Sequence, residues 1–211
     1  MKVLGISTAG KLTSVAVIEE TQQPQTTSVL CEYSSLNVRS EDVIVLIDRI
    51  CKDTGLDIKE IDAIAVVDGP GSYSGLRGGL AAAKSLAQAL EVPVCGVSAL
   101  EATAYNLKNA EGAIAVVSDA VRDESNFALF SSDSKNVRRL SQDMPLPKAR
   151  IKELLKQIKG KLHIPLEQDE YPYARNAALI GLAQLKAGLK DDYLSLVPRY
   201  SHVPNIREYK K

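Results

Sequence analysis

The feature that most restricts this chain's fold is Ile61-Asp62-Ala63-Ile64-Ala65-Val66-Val67, a strand-like run that is apolar almost throughout. A run with so little polar alternation belongs inside a sheet that is covered on its faces. It leads into Gly69-Pro70-Gly71-Ser72-Tyr73-Ser74-Gly75, after which a helix is expected to extend to about Leu90. A buried strand, a glycine-rich turn and a helix form one unit of a layered α/β fold.

The flanking segments extend that unit in both directions. Val3 to Ser7 and Thr13 to Ile18 read as strands of a hairpin turned at Gly10, and a third strand is expected from Ser28 to Tyr33 after a polar turn over Thr21 to Thr27. Ser40 is placed to cap a helix with Glu41 and Asp42 in its first turn, running to about Lys52 and stopping near Gly55. Val92 to Val97 gives a fifth strand, and Ser98 with Glu101 fits a capping box at the start of a third helix. The order β-β-β-α-β-α-β-α predicts a mixed sheet with helices on its faces, the pattern of an actin-like or ribonuclease-H-like core. Residues 1–110 are expected to form that lobe, and 111–211 a smaller second lobe with an extended tail. The second lobe would contain strands at Ala113–Val117 and Asn126–Phe130, a basic helix over Pro147–Ile158, an Ala-rich helix over Tyr173–Gly188 and a tail from Val197 to Lys211 that is either an extended strap or partly disordered.

Composition removes several function classes. Of 211 residues 45% are hydrophobic and 25% charged, enough to bury a core without staples. Lys plus Arg and Asp plus Glu number 26 each, so no overall field draws the surface toward nucleic acid or membrane. Cys31, Cys51 and Cys95 form no CxxC pair and read as small hydrophobes in a reducing compartment. Met1 to Ile6 turns polar at Ser7-Thr8, unlike a signal peptide, and no stretch approaches the roughly 18 apolar residues of a membrane span, so the cytoplasm is the expected location.

The loop Gly69, Gly71, Ser72, Ser74 and Gly75 leaves two readings open: backbone N–H groups offered to an anion, or a strand-to-helix turn with Ser72 or Ser74 as N-cap. It carries no Gly-Lys-Ser/Thr and is neither a P-loop nor a dinucleotide fingerprint, so sequence mechanics favour the turn. On the following helix Leu76, Leu80, Ala83, Leu86, Ala87 and Leu90 share the core side. The opposite side carries Gly78, Ala81, Ala82, Ser85 and Ala89, with Arg77, Lys84 and Gln88 along one margin. Side chains that small let another helix approach closely. On the preceding helix Val43, Ile44, Leu46, Ile47, Ile50 and Cys51 span a broad arc with Val45 outside it, more apolar surface than one packed face needs. These two helices therefore give a candidate docking surface of Val43, Val45, Ile47, Ile50, Arg77, Gly78, Ala81, Ala82, Ser85 and Ala89, unless the second lobe covers them. His163 and His202 stand far apart in no metal pattern, Asp119, Asp123 and Glu124 read as a solvated loop, and neither a nucleophile relay nor a metal site is expected.

The run Val67 to Arg77, continued through Ala83-Lys84-Ser85-Leu86-Ala87 and Gly96-Val97-Ser98-Ala99-Leu100-Glu101, resembles the TsaB (YeaZ-like) family, with further matches at Asp119 to Glu124 and Pro198-Arg199-Tyr200. The resemblance implies an actin-like ATPase fold with a reduced second lobe. It also implies a non-catalytic role beside a related catalytic subunit, TsaD, which is met through helices matching Ser40–Cys51 and Ser74–Leu90. With the ATPase TsaE the pair makes threonylcarbamoyladenosine next to the anticodon of ANN-decoding tRNAs. A homodimer through the same helices is implied for the free protein. The balanced charge and the missing site patterns, for their part, predict no cofactor and at most an indirect contact with tRNA. The chain departs from the family at Ser7, where a carboxylate is usual on the first strand, and at Arg39, where a histidine is common. Two other functions remain to be weighed: an ATP-dependent phosphotransferase or hydrolase, which Ser7 disfavours, and a metallopeptidase-like protein, for which paired histidines are lacking.

Overall fold

A computed structural model describes residues 1–22, 25–36, 42–120, 122–165 and 173–202. Two mixed sheets of five strands each organise the chain. The first contains β1 (Lys2–Ser7), β2 (Leu12–Gln22), β3 (Gln25–Leu36), β4 (Ala63–Gly69) and β5 (Val94–Ser98), in the order β3-β2-β1-β4-β5. β2 is antiparallel to both β1 and β3, whereas β1, β4 and β5 run parallel.

The strong apolar character of β4 follows from its position next to β1, with helices over both faces. On one face, α1 (Val43–Thr54) and α2 (Tyr73–Leu90) pack against Leu4, Ile6, Val15, Val17, Ile64 and Val66. The alternate residues Val3, Ile18, Ala63, Ala65 and Val67 meet α3 (Ala99–Ala104) and α5 (Ala174–Lys186) on the other. The second sheet contains β6 (Glu111–Asp119), β7 (Glu124–Asp133), β8 (Val137–Arg139), β9 (Met144–Pro147) and β10 (Leu162–His163). α3 covers it from the inside through Leu100 and Ala104, and α4 (Lys148–Gln157) from the outside through Ile151.

Most sequence expectations map directly onto these elements. Ser72 caps α2, its Oγ accepting from the Gly75 N–H at 3.3 Å, and Gly55 ends α1 at φ 69°. Ser98 caps α3, its Oγ accepting from the Glu101 N–H at 3.1 Å, but Glu101 completes no reciprocal box because its carboxylate pairs with Arg139 at 2.7 Å. Ser40, expected to cap α1, lies outside the described residues, and the first described helical residue follows Asp42. The turn expected over Thr21 to Thr27 is shorter, since β2 and β3 pair as far as Gln22 and Gln25.

The second sheet is confined to residues 111–163, and the chain then returns to the first: α5 lies across β1, β4 and β2. Its small face explains this. The Ala174 carbonyl occupies the space beside Gly5, Gly181 sits against Ala65, and Asn176 donates to the Ala102 carbonyl at 2.8 Å.

Burial across α1 generates a stability prediction. Ile50 is fully buried and Val45 is 63% exposed. Ile50→Ala should lower the urea-unfolding free energy by about 2–5 kcal/mol, and Val45→Ala should change it by less than about 0.5 kcal/mol. Equal losses would mean that α1 is rotated from this orientation.

Candidate functional site

The glycine loop is set by a close crossing of two backbones. Ser72 N–H donates to the Ala9 carbonyl at 2.7 Å, and Thr8 Oγ1 donates to the Gly75 carbonyl at 2.6 Å. The Thr8 carbonyl and hydroxyl stand where side chains at Gly75 and Gly79 would have to sit. Glycine at these two places lets the β1–β2 connection lie directly on the first turns of α2. The Ser72 cap and these contacts fit the strand-to-helix turn of the two readings; Gly71, Ser72 and Ser74 are exposed, and Gly69 ends β4 at φ 138°.

A second clamp holds the same corner. Past α5 the chain runs along the β5 edge, where Asp191 N–H donates to the Val94 carbonyl at 2.9 Å and its carboxylate accepts from the Gly96 N–H at 2.7 Å. It then passes beside α2, where Lys84 Nζ reaches the Leu196 carbonyl at 3.0 Å. Arg199 N–H donates to the Asp68 carbonyl at 2.7 Å, and its Nε to Asp68 Oδ1 at 2.8 Å, while Arg199 Nη2 pairs with the same oxygen. Tyr200 stacks on Tyr73 with centroids 4.9 Å apart and accepts from Arg77 Nε at 2.9 Å. The Asp68 side chain is only 6% exposed, and burial pushes its carboxyl up to about 6 against the opposing pull of Arg199.

Beside this strap a cleft of about 190 Å³ opens between the two sheets, lined by Pro70, Asn126, Asp143, Met144, Arg199 and Tyr200 among others. Two of its polar side chains, Asn126 and Asp143, are engaged within the chain. Asn126 Nδ2 donates to the Asp119 carbonyl at 3.2 Å, and Asp143 accepts from Ser98 Oγ at 2.6 Å and Arg139 Nη1 at 2.5 Å. Among the described residues, no three His, Cys, Asp or Glu side chains are grouped to hold a metal. Of the acidic loop, Asp119 lies 3.8 Å from Lys148, and Glu124 lies 3.2 Å from His202.

The candidate docking residues divide into three groups. Val43, Ile47 and Ile50 are core residues of this chain, because α1 turns that edge of its apolar arc onto the sheet; they are not available to a partner. Arg77 is exposed but engaged by the strap, donating to Tyr200 Oη at 2.9 Å and lying 4.1 Å over the Tyr73 ring of its own helix. The third group faces outward: Ala81, Ser85 and Ala89 are exposed, Gly78 and Ala82 half-buried, and Val45 exposed with Ile44 at 49%. Ile44, counted in the broad apolar arc of α1, is the member of that arc that stands 49% exposed beside Val45.

A family model described as TsaD: tRNA N6-adenosine threonylcarbamoyltransferase matches residues 34–183. The tRNA threonylcarbamoyladenosine biosynthesis protein TsaB of Bacillus subtilis (strain 168) is 28% identical over 159 residues, 74% of this chain and 67% of that protein. The TsaB of Haemophilus influenzae is 28% identical over 131 residues, 61% of this chain and 53% of its own length. A tRNA N6-adenosine threonylcarbamoyltransferase of Brucella ovis is 31% identical over 128 residues, 53% of this chain and 36% of that enzyme. The chain thus spans about half of one of these relatives and about a third of another. Among solved structures, YeaZ from Pseudomonas aeruginosa superposes with TM-score 0.76 at 18% identity, covering 94% of this chain and 99% of that one. A Pseudomonas aeruginosa protein described as similar to peptidase YEAZ gives 0.77 at 18% identity over 95% and 99%. The fold is therefore the actin-like, ribonuclease-H-like α/β architecture expected from the element order.

Burial of Asp68 sets a pH dependence. Its carboxyl titrates near 6 in the folded chain against an ordinary 3.8, so ionisation costs more folded than unfolded and this cost is relieved as pH falls through 6. Between about pH 7.5 and about pH 5 the wild type should gain on the order of 1–2 kcal/mol relative to Asp68→Asn in chemical denaturation. Parallel pH profiles for the two proteins would show that Asp68 stays ionised throughout.

Proposed function

Because the chain belongs to the TsaD-type threonylcarbamoyltransferase family and, within it, to the TsaB (YeaZ-like) branch, we propose that it serves tRNA threonylcarbamoyladenosine synthesis as the non-catalytic partner of a TsaD-like subunit. The observation that carries this reading is the outer face of α2. Ala81, Ser85 and Ala89 are exposed, and the chain's own strap lies along the Tyr73–Arg77–Lys84 flank instead of over them. A solvated helix ordinarily carries charge on its outer face. Here the side chains are short, and Ile44 and Val45 of α1 add exposed apolar surface. A face without bulk admits a helix from another protein at close range and can seat a contact of about 1,200–2,000 Å². The same face serves a second copy of this chain when the catalytic subunit is absent, and a TsaE-like ATPase joins the assembled pair. The phosphotransferase alternative requires a carboxylate on β1, where Ser7 is buried with no hydrogen-bond partner for its Oγ among the described residues.

Ala81→Arg and Ser85→Arg test the proposal at positions whose side chains leave the core untouched. Each should abolish co-elution with the catalytic subunit and reduce modified tRNA in the reconstituted mixture by at least about tenfold, while the melting temperature of the free chain stays at the wild-type value. Undiminished association in both variants would eliminate this face as the contact.

A further inference from the structure

The chain carries no net charge, but its charge is unevenly placed. Between Lys148 and Lys161 stand six basic residues and one carboxylate, Glu153. That carboxylate is taken by Arg150 at 2.9 Å, and Lys148 lies 3.8 Å from Asp119. Lys152, Lys156, Lys159 and Lys161 are exposed, and none forms an ion pair with a carboxylate among the described residues. On α4 the spacing 148, 152, 156 aligns three ammonium groups along one flank, about 6 Å apart along the axis, comparable with the interval between successive phosphates of a nucleic-acid strand.

A basic amphipathic helix often marks a membrane surface, but the packing of α4 opposes that here. Its apolar side is used internally, with Ile151 buried against Ala115 and Phe127 of the second sheet and Leu154 and Leu155 packed against that cluster. An interfacial helix needs that side free to enter the lipid. What remains outward is a row of cations with no apolar edge, which suits a solvated polyanion. We infer that the outer flank of α4, continued by Lys159, binds the phosphate backbone of RNA, positioning it without reading its sequence. The choice of RNA rests on the tRNA-modification reading above, which the α4 geometry does not itself require. It also assigns this subunit a direct contact, where zero net charge alone suggested an indirect one.

The test uses the full chain in complex with its catalytic partner and the triple variant Lys152→Gln/Lys156→Gln/Lys159→Gln. Anisotropy titrations of a fluorescent tRNA transcript are run over a series of salt concentrations. The variant should bind at least about tenfold more weakly near physiological salt, with the slope of log K against log salt reduced by about 2–3, because each phosphate contact contributes close to one unit. A scrambled RNA of equal length should lose affinity in parallel, and vesicles of phosphatidylserine and phosphatidylcholine should bind neither protein. Equal tRNA affinity and slope for wild type and variant would overturn the inference, as would charge-dependent vesicle binding with tRNA binding unchanged. Co-elution with the catalytic subunit should survive the triple substitution. If the wild type itself fails to associate, the partner reading falls, and the same salt titration on the chain alone decides the RNA inference.

Discussion

The outward face of α2 depends on how tightly the helix is held from below. Thr8 and Ala9 lie against its first turns through the Ser72–Ala9 and Thr8–Gly75 hydrogen bonds, with no side chain intervening at Gly75 or Gly79. This fixes the N-terminal end of α2 to the β1–β2 connection as Leu76, Leu80, Ala83 and Ala87 fix its length to the core. A glycine-rich turn in this setting resembles an anion cradle in sequence. In the structure the glycines admit the protein's own backbone, and the result is a rigid platform.

The strap reinforces the platform from the side. It seals the β5 edge through Asp191 and engages Asp68 with Arg199, and its aromatic end rests on Tyr73. Arg199 is half-exposed whereas Asp68 is nearly sealed, so the carboxylate carries most of the desolvation and the guanidinium little. In the inter-sheet cleft Asp143 is likewise engaged internally, accepting from both Ser98 and Arg139. Such networks hold the two sheets in a single arrangement.

Much of the first sheet was legible in sequence because its signals are local: the alternation of β1 and β2, the apolar run of β4, and the Ser72 and Ser98 caps. The small outer side of α2 was legible for the same reason, since an 18-residue helix samples its period several times. α1 has 12 residues and apolar side chains over much of its circumference, so counting could not establish which edge meets the sheet; Val43, Ile47 and Ile50 turned inward and Ile44 outward. β8 and β9 are three and four residues long, and β9 contains two prolines, leaving no alternation to detect. The return of α5 to the first sheet has a signal in hindsight, small residues at 174, 178 and 181 facing Gly5 and Ala65. No local pattern announces the Asp68–Arg199 pair, whose members are 131 positions apart.

The position of α5 also bears on biosynthesis. A ribosome releases β1 to β5 and α3 early, yet the face of Val3, Ala63, Ala65 and Val67 is covered only in part, by Ala99 and Ala102, until Ala177, Ala178 and Ile180 have been made. In the interval the entire second sheet is translated, so the part of the molecule that emerges first is completed last. A nascent chain in that condition displays part of an oily layer to its surroundings, and its maturation waits on the emergence of α5 from the exit tunnel.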